Sequence, residues 1–483
     1  MNESEQPLDL QKGRCLKPYP AYKDSGVEWL GQIPAHWECR PLKFRCHINS
    51  ETLGEETDPG YELQYVDISN VDSTGKILGA EELRFDNAPS RARRRVRSGD
   101  TIISTVRTYL KAIAYLDNPS NNLIVSTGFA VLRPRAALHP PFLWRVVQSE
   151  QFVQAVQAHS EGVGYPAINP GQLGRLLVWI PRLDEEREIA AFLDRATQKI
   201  DALVAKKERL IELLQEKRAA LITHAVTKGL PSTSSGQVTH SVPMKDSGVE
   251  WLGQIPADWG IKPLKRVLLQ GLTNGLFLKK DQYGSGVKLV NVVDLYREDF
   301  LIDPESLERV EANSSETVAY IVLPGDVFFV RSSLKLEGIG ASACMVTVPE
   351  PTVFECHLVR ARSNKKLMLP AFLVNYLNSV GTRQRLIAIS ETTTMTTIAQ
   401  PKLGSMEVVV PPLLEQQAIV DFIGRESSKL NGLTAKVRDG IEKLKEYRTA
   451  LISAAVTGNI DVRATLADSG QANAMSPEAS AVT

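Results

Sequence analysis

The residues best suited to chemistry in this sequence are basic and hydroxyl side chains on either side of a Gly-Asp pair. In the first half, the candidate residues are Arg91, Arg93, Arg94, Arg95, Arg97, Arg107, Thr108, Tyr109 and Lys111, around Gly99-Asp100. Such a cluster neutralises phosphates, and the planar arginine fork can also bond guanine O6 and N7 together. The cluster therefore predicts a nucleic-acid contact, with charge that protects an exposed edge strand as the alternative explanation.

The second half carries the same residue types around Gly325-Asp326, but in a different arrangement. Its candidate residues are Lys279, Lys280, Arg331, Ser332, Ser333, Lys335, Thr393 and Thr394. The hydroxyls of the threonine-rich loop suit phosphate contact, and they also suit any surface loop. Because the two sets differ, we expect them to read different sequences if they bind nucleic acid.

Composition and motifs argue against a catalytic or metal site in this chain. The 56 basic and 56 acidic side chains balance, so any basic surface must be local. The sequence has no phosphate loop, dinucleotide-binding glycine motif, zinc-protease helix or amino-methyltransferase motif. Asp326, Lys335 and Glu337 have the residue types of a nuclease in the wrong order. The pairs Cys46-His47 and Cys356-His357 are adjacent, and adjacent side chains rarely bind one ion. We predict no catalytic residue, metal or cofactor.

Cysteine usage and hydropathy indicate a cytoplasmic protein. The five cysteines have no Cys-x-x-Cys spacing, which argues against a disulfide framework and a zinc ribbon. The first residues lack the apolar region of a signal peptide, and no run approaches the ~20 apolar residues of a membrane span. The sequence therefore predicts reduced thiols, a cytoplasmic location and no membrane contact.

Fifteen residues recur almost unchanged, 222 positions apart. Residues 23–37 read KDSGVEWLGQIPAHW and residues 245–259 read KDSGVEWLGQIPADW, so that only His36 and Asp258 differ. A second repeated signal, near the end of each half, returns with a shift of 230 positions, so the middle of each copy has gained or lost residues. The chain is a tandem duplication with pseudo-twofold symmetry.

A long amphipathic helix is predicted at the end of each copy. Its apolar residues recur at alternating steps of three and four, which is typical of a coiled-coil seam. The predicted seam residues are Ile189, Leu193, Ile200, Leu203, Leu210, Leu214 and Leu221 in the first helix, and Ile419, Ile423, Leu430, Leu433, Val437, Leu444 and Leu451 in the second. Lys207, Lys217, Glu426 and Gly440 interrupt this pattern, and Gly229 and Gly458 predict the helix ends. We expect the two helices to pair; apolar stripes that face only their own domains are the alternative.

The segments before the helices contain β-branched runs between turn residues, which predict strands. The fold class is therefore α+β: two tandem pseudo-symmetric units, each a strand-rich globular domain followed by a long helix, with the helices paired as an antiparallel coiled coil. The predicted boundaries are an N-terminal tail at 1–20, domains at 21–182 and 243–412, helices at 183–229 and 413–460, a linker at 230–242 and a disordered C-terminal tail at 461–483.

These motifs in combination resemble the specificity subunits of type I restriction-modification systems. The resemblance rests on the repeated IP-x-x-W-x-x-x-PLK opening, the Gly-Asp strand, the P-x-L-x-EQ-x-x-I helix start at 411–419 and the ending YRTALISAAVTGNIDVR at 447–463. It covers nearly the whole chain. The first copy departs from the pattern at residues 184–187, where Asp-Glu-Glu-Arg replaces the acidic-Gln pair that is usual in the family.

The resemblance implies two target recognition domains, each reading one half of a bipartite, asymmetric site in double-stranded DNA, with the paired helices as a spacer. It also implies that catalysis lies in partners: two modification subunits that methylate adenine with S-adenosylmethionine, and two restriction subunits that hydrolyse ATP, with Mg²⁺, and cut. This chain would then be a non-catalytic, DNA-binding specificity subunit. The alternatives are a coiled-coil adaptor without DNA contact, or a stand-alone methyltransferase or nuclease.

Overall fold

The structure is a computed structural model that describes residues 17–162, 164–230, 243–392 and 395–463. The chain divides into two units: unit 1 runs to residue 207 and resumes at residue 439, and unit 2 comprises residues 208–438. Most of the predicted linker and the chain beyond residue 463 lie outside the described residues. None of the described helices is long and apolar enough to cross a membrane.

The strands of unit 1 form two four-stranded sheets and two short ladders. They are β1 Tyr22–Asp24, β2 Gln32–Pro34, β3 Glu38–Pro41, β4 Cys46–Ile48, β5 Glu62–Val66, β6 Glu81–Arg84, β7 Ala92–Arg95, β8 Thr101–Ser104, β9 Ile113–Tyr115, β10 Leu123–Ser126, β11 Phe129–Pro134 and β12 Leu177–Ile180. The sheets have the orders β6-β5-β10-β7 and β4-β11-β8-β9, and the ladders join β1 to β2 and β3 to β12. β5 and β10 are parallel, and the other pairs are antiparallel.

Unit 2 repeats this plan, but no strand among its described residues corresponds to β7. Its strands are β13 Met244–Asp246, β14 Gln254–Pro256, β15 Gly260–Pro263, β16 Thr273–Asn274, β17 Tyr283–Val290, β18 Glu308–Val310, β19 Asp326–Val330, β20 Ser332–Ser333, β21 Ser342–Met345, β22 Thr352–Phe354, β23 Leu358–Arg362, β24 Glu391–Thr392, β25 Thr396–Thr397 and β26 Glu407–Val410. The sheets have the orders β18-β17-β22, β16-β23-β19-β21 and β20-β25-β24, with ladders joining β13 to β14 and β15 to β26.

Short helices pack on each domain before the long helix begins. They are α1 Pro140–Gln148, α2 Glu150–Ala158 and α3 Pro170–Arg175, followed by the long α4 Leu183–Lys228, and then α5 Ser314–Ala319, α6 Pro370–Leu377, α7 Val380–Ala388 and α8 Gln400–Ser405, followed by the long α9 Leu413–Val456. From the sequence, residues 141–159 and 370–387 each predict one short helix, but the structure divides each of these segments into two. Each is broken at a buried serine, because the hydroxyls of Ser149 and Ser379 donate to the carbonyls of Val146 and Tyr376.

A buried carboxylate fixes the start of the central strand in both units. Asp100 and Asp326 are each only 1% exposed. Arg133 donates two hydrogen bonds to Asp100, at 2.9 and 2.8 Å, and Arg362 donates two to Asp326, both at 2.7 Å. Removing either partner would leave an unpaired buried charge, so the Gly-Asp motif is a structural element of the sheet.

In unit 1, a tryptophan of the repeated segment joins the start of α4 to the end of α9. The indole N–H of Trp37 donates to Glu185, in the first turn of α4, at 3.2 Å. Gly458, just after α9, lies against the same ring and has a φ of +77°; a Cβ there would lie 2.4 Å from Pro34. The indole of Trp179 also donates to the last carbonyl of α9, that of Val456.

Unit 2 repeats the arrangement with the helices exchanged. The indole N–H of Trp259 donates to Glu415, in the first turn of α9, at 2.9 Å. Gly229, directly after α4, lies beside this ring with a φ of +85°. The ammonium of Lys228, the last residue of α4, donates to the carbonyl of Gln254 in β14. Each unit therefore holds the start of one long helix and the end of the other.

The two long helices pair as an antiparallel coiled coil, which confirms the predicted fold class. Towards both ends the seam is apolar: Ile189, Leu193, Ile200, Ile419, Ile423, Leu430 and Leu451 are buried, and Leu214, Leu221, Val437 and Leu444 are half-buried. Near the middle the prediction was wrong. Leu203, Leu210 and Leu433 are exposed and do not lie on the seam.

The seam passes instead through the residue that follows each of these leucines, namely Val204, Ile211 and Thr434. Two residues that interrupted the apolar pattern are paired with each other: the ammonium of Lys207 lies 3.2 Å from the position that a Cβ on Gly440 would take. The seam keeps its heptad spacing here, but Lys and Thr occupy inward positions. A count of apolar residues therefore does not detect it.

The folded part of the described chain extends further at both ends than the sequence predicted. Tyr19, in the predicted N-terminal tail, is buried and packs edge-on against Trp37. Val462 is fully buried, and the N–H of Asp461 donates to the carbonyl of Lys17 at 2.7 Å. The folded part of unit 1 therefore runs through Arg463, past the predicted start of the tail at residue 461.

The residue that follows the tryptophan-bonded glutamate differs between the copies. Glu185 is followed by Glu186, whereas Glu415 is followed by Gln416. The amide oxygen of Gln416 accepts the Leu369 N–H at 2.8 Å, and its amino group donates to the carbonyls of Leu367 and Pro411, at 2.9 and 2.8 Å. These bonds tie the start of α9 to the loop before α6, and they use both the acceptor and the donor of the amide.

Glu186 keeps the acceptor role and loses the donor role. It accepts the His139 N–H at 2.7 Å, while Arg45 takes over the missing donation by bonding the Ala137 carbonyl at 2.7 Å. The guanidinium of Arg45 lies 4.0 Å from Glu186, whose second oxygen is buried without a hydrogen bond. Burial raises the pKa of Glu186 to about 7, so the folded state favours its protonated form.

The substitution Glu186→Gln should remove a pH-dependent loss of stability. Because the pKa of Glu186 is higher in the folded state, the free energy of unfolding falls as the pH rises from about 4.5 to about 7. The variant should be more stable than the parent by roughly 1–3 kcal/mol at pH 8, and this difference should vanish below pH 4.5. Denaturant unfolding from pH 4 to 8 measures it. The reciprocal Gln416→Glu should introduce the same fall, and a constant difference across pH would contradict the assignment.

The corrected seam predicts which helix residues stabilise the pairing. Ile441 is 5% exposed and Leu433 is 50% exposed. Ile441→Ala should lower the free energy of unfolding by about 2–4 kcal/mol, whereas Leu433→Ala should change it by less than about 0.5 kcal/mol. Chemical denaturation of the full chain compares the two. Equal losses would restore the seam predicted from the sequence.

Candidate nucleic-acid interface

Two loops of unit 1 meet where β8 ends, at residues 105–111 and at the described residues 160–162 and 164–167; we call them the unit 1 loops. The Arg107 N–H donates to the Pro166 carbonyl at 2.8 Å, and the Ile168 N–H donates to the Thr105 carbonyl at 2.9 Å. These backbone bonds fix the position of the loops whatever side chains they carry.

The first of these loops makes a tight turn that turns side chains outward. Arg107 and Lys111 both have positive φ angles, 52° and 51°, and they flank a single 3-10 turn at Thr108–Leu110. Thr108 is buried, and its hydroxyl lies 3.2 Å from that of Ser160. Left-handed backbone at non-glycine residues is strained, so this conformation depends on the loop packing around it.

The outward face of the unit 1 loops is aromatic and cationic. The guanidinium of Arg107 lies 4.6 Å from the ring centre of Tyr165, and both side chains are exposed. Tyr109 and Leu110 are exposed beside them. Lys111 is already paired with Glu150 at 2.8 Å. An arginine held over a ring keeps its fork free for a base edge or a phosphate.

The arginine cluster lies in and beside β7, the last strand of its sheet. Residues 51–53 already cover the outer side of β7, because the Leu53 N–H donates to the Arg93 carbonyl at 2.8 Å and the Arg95 N–H donates to the Glu51 carbonyl at 3.2 Å. Internal partners hold most of its guanidinium groups. Arg91 and Arg97 bond Asp67 and Glu51 at 2.6 Å, Arg94 bonds Thr52 at 3.2 Å, and Arg93 and Arg95 lie over the rings of Phe85 and Tyr61. Arg91, Arg95 and Arg97 remain exposed. Their contact with nucleic acid stays a prediction.

A turn at Ser126–Gly128 places β7 next to the unit 1 loops. The Thr127 N–H donates to the Arg91 carbonyl, and the Thr105 N–H donates to the Gly128 carbonyl, both at 2.8 Å. The structure therefore brings the start of the arginine strand and the Arg107 turn to the same edge of unit 1. The two groups of residues selected from the sequence are neighbours.

Unit 2 builds the same pair of loops with other side chains, at residues 331–338 and at the described residues 391, 392 and 395–397; we call them the unit 2 loops. The Ile398 N–H donates to the Arg331 carbonyl at 2.9 Å, as Ile168 does to Thr105 in unit 1. The Arg331 N–H donates to His357 at 2.8 Å, as Thr105 does to Gly128. β20 then pairs with β25, between the two loops.

The remaining candidates of unit 2 lie in different environments. Ser332 is buried, Arg331 and Ser333 are half-buried, and Lys335 is exposed. Lys279 is exposed ahead of β17, and the side chain of Lys280 is not among those described. Thr393 and Thr394 lie outside the described residues. The described hydroxyl and basic residues of the loops thus meet at one edge of unit 2, while nothing ties Lys279 to them.

Two features of these surfaces were missed at the sequence level. One is the pairing of Arg107 with Tyr165, which lie 58 positions apart. The other is an exposed apolar group in unit 2 that includes Tyr296 and Leu334. Neither has a sequence signal, because an exposed apolar side chain in a loop resembles ordinary surface until its neighbours are known.

Three potential metal ligands lie close together in the turn before β23, in unit 2. Donor atoms of Glu355, Cys356 and His357 lie within 4.8 Å of one another. Glu355 accepts the backbone N–H of His357 at 3.0 Å, and burial raises the pKa of both Glu355 and Cys356. These groups would have to release their protons for a cation to bind. Asp326, named with Lys335 and Glu337 as a nuclease-like set, is buried in its pair with Arg362.

Comparison with known proteins shows what this chain is similar to. The family model described as "Type I restriction modification DNA specificity domain" matches residues 90–213, which include β7 and the unit 1 loops. The resemblance to type I specificity subunits is confirmed. The chain is 22% identical over 333 residues to the type I restriction enzyme EcoKI specificity subunit of Escherichia coli K12, covering 68% of each protein. It is 21% identical over 334 residues to the StySPI specificity subunit of Salmonella potsdam, covering 68% of this chain and 67% of that one.

A solved structure shares the fold over most of the chain. It belongs to work titled as the structural basis of complex assembly and conformational transition of the type I R-M system. The TM-score is 0.65 at 22% identity, and the match covers 88% of this chain and 98% of that one. The α+β plan of strand-rich domains and long paired helices is therefore shared with a known type I restriction-modification structure.

Removing the charge of Arg107 should weaken DNA binding in a salt-dependent way. Arg107→Gln should reduce duplex affinity about 5- to 100-fold, and it should lower the slope of affinity against salt by about one if the contact is to a phosphate. Titration of a labelled duplex into the full chain, in the assembly in which it acts, measures both. Arg209→Gln is the control, because Arg209 is an exposed arginine of α4 that pairs with Glu212. Equal effects of the two substitutions would contradict a specific contact at Arg107.

Proposed function

We propose that this chain is the specificity subunit of a type I restriction-modification complex and that it reads a bipartite, asymmetric DNA site, one half through each unit. The observation that carries the proposal is the equivalence of the unit 1 and unit 2 loops. The same backbone bonds place them, from Ile168 to Thr105 and from Ile398 to Arg331, while the exposed side chains differ. Two readers with one frame and different surfaces should recognise two different half-sites.

The chemistry would be carried out by partner subunits. Two modification subunits would methylate adenine with S-adenosylmethionine, and two restriction subunits would hydrolyse ATP, with Mg²⁺, and cleave. This chain would contribute double-stranded DNA recognition and no catalytic residue or cofactor. The repeated, nearly identical segment and the long helices offer a partner present in two copies two similar places to bind. The paired helices would also act as the spacer that keeps the gap between the half-sites constant.

The proposal is tested by mapping methylated adenines in cells that express the complete complex, with and without this chain. The expected motif has two unlike segments separated by a gap of constant length, and it disappears without the chain. In cells that express Arg107→Gln, methylation should become less selective for the bases of one segment, while the other segment and the gap stay unchanged. A contiguous or palindromic motif, or one that persists without this chain, would overturn the proposal.

A further inference from the structure

An open cleft lies beside the unit 2 loops. Its volume is about 480 Å³. Its walls come from the unit 2 loops, from the 3-10 turn after β17 and from the turn before β23: Val292, Tyr296, Ser332, Ser333, Leu334, Lys335, Glu337, Gly338, His357 and Met395. The cleft is thus part of the surface that corresponds to the exposed face of the unit 1 loops.

The rim of the cleft exposes large apolar side chains that the fold does not require to be there. Leu334 is 82% exposed and Tyr296 is 51% exposed. Val293 and Leu336 are exposed next to them. Grouped apolar side chains at a surface that a polar residue could equally occupy indicate a binding site.

The polar groups around the cleft suit a duplex. The ammonium of Lys335 is exposed at the rim and can meet a phosphate. The hydroxyl of Ser333 accepts the Lys335 N–H at 3.1 Å, which fixes the direction of this part of the loop. Glu337 is the carboxylate of the lining, and it can accept a hydrogen bond from an exocyclic amine of a base. Charge and hydrogen-bonding capacity therefore surround an apolar centre.

DNA offers an apolar surface of this kind in one place in the major groove. The C5-methyl group of thymine is the apolar group presented there, and apolar side chains contact it. On the basis of the proposed function, we propose that the cleft beside Leu334 and Tyr296 receives the methyl edge of a thymine, so that the half-site read by unit 2 contains at least one T·A pair recognised through its methyl group.

The contrast with unit 1 supports this difference in chemistry. The unit 1 loops present Arg107 over Tyr165 at the corresponding edge, and a free arginine fork suits the two acceptors of guanine. Unit 2 has Ser333 where Arg107 stands, counting from the shared Gly-Asp pair, and Leu334 next to it. Unit 1 therefore presents a cation over an aromatic ring, whereas unit 2 presents an apolar side chain that can contact a methyl group.

The experiment uses the complete complex and duplexes that carry its mapped site. Thymines are replaced by uracil one position at a time, which removes the methyl group and leaves the base pairing unchanged. The unit 2 half-site is identified as the one that stays selective in Arg107→Gln. One replacement in that half-site should weaken binding about fourfold, the effect expected for one buried methyl group. Replacements in the other half-site should have smaller effects.

Substitution of the rim residue then ties the effect to the cleft. Leu334→Ala should abolish the difference between thymine and uracil at that position, and its high exposure means that the fold should not change. Val318→Ala on α5 is the matched control, because Val318 is 75% exposed in the same unit; it should leave the difference intact.

The remaining outcomes separate the two proposals. Sequence-specific binding without any thymine–uracil difference would overturn the methyl contact and leave the proposed function standing. A loss in Leu334→Ala that is equal on both duplexes would also overturn it, and would indicate a side chain wedged between bases. Absence of sequence-specific binding would overturn the proposed function itself.

Discussion

The structure depends on the bond between a repeated tryptophan and the first turn of a long helix. Trp37 reaches Glu185 in unit 1, and Trp259 reaches Glu415 in unit 2. Gly458, which follows α9, lies against the ring of Trp37, and Gly229, which follows α4, lies against the ring of Trp259. A buried indole N–H needs an acceptor, and a carboxylate near a helix N-terminus is stabilised there by the helix dipole. One side chain thus fixes both an origin and an end of the coiled coil, which accounts for the tryptophan that ends both copies of the fifteen-residue segment.

The single difference within that segment lies at this same bond. His36 bonds Glu185 at 2.7 Å, whereas Asp258 faces Glu415 and, after burial, helps to raise the pKa of that carboxyl. The frame tolerates either a histidine or an aspartate here because the indole bond is present in both copies. Variation at the loops is tolerated for a related reason, since backbone hydrogen bonds hold them and leave the exposed side chains free to differ.

Much of the architecture could be predicted from the sequence, because periodicity and repetition are directly visible there. The duplication, the strand-rich domains and the two long helices follow from spacing. The middle of the seam could not be predicted, since Lys207 and Thr434 are inward residues that an apolar count rejects. The breaks at Ser149 and Ser379 depend on side-chain bonds that no periodicity reveals. The candidate site was harder still: residue types indicated the Arg107 turn, but the ring beneath Arg107 and the cleft beside Leu334 form only when distant segments meet.

Unit 1 pairs Glu186 with Arg45, whereas unit 2 has Gln416 and Val267 at the equivalent positions. This difference limits how the two copies can recombine. Arg45 and Val267 hold equivalent positions, each directly after a 3-10 turn, yet only Arg45 can supply the donor that Glu186 lacks. A crossover between the repeats that falls inside a domain would join Val267 to Glu186 and leave a buried carboxylate without its cation. Crossovers outside the segment between Arg45 and Glu186 keep the pair together. Selection for stability alone would therefore favour exchange of a strand-rich domain together with the start of the long helix that follows it over exchange of fragments of the domain.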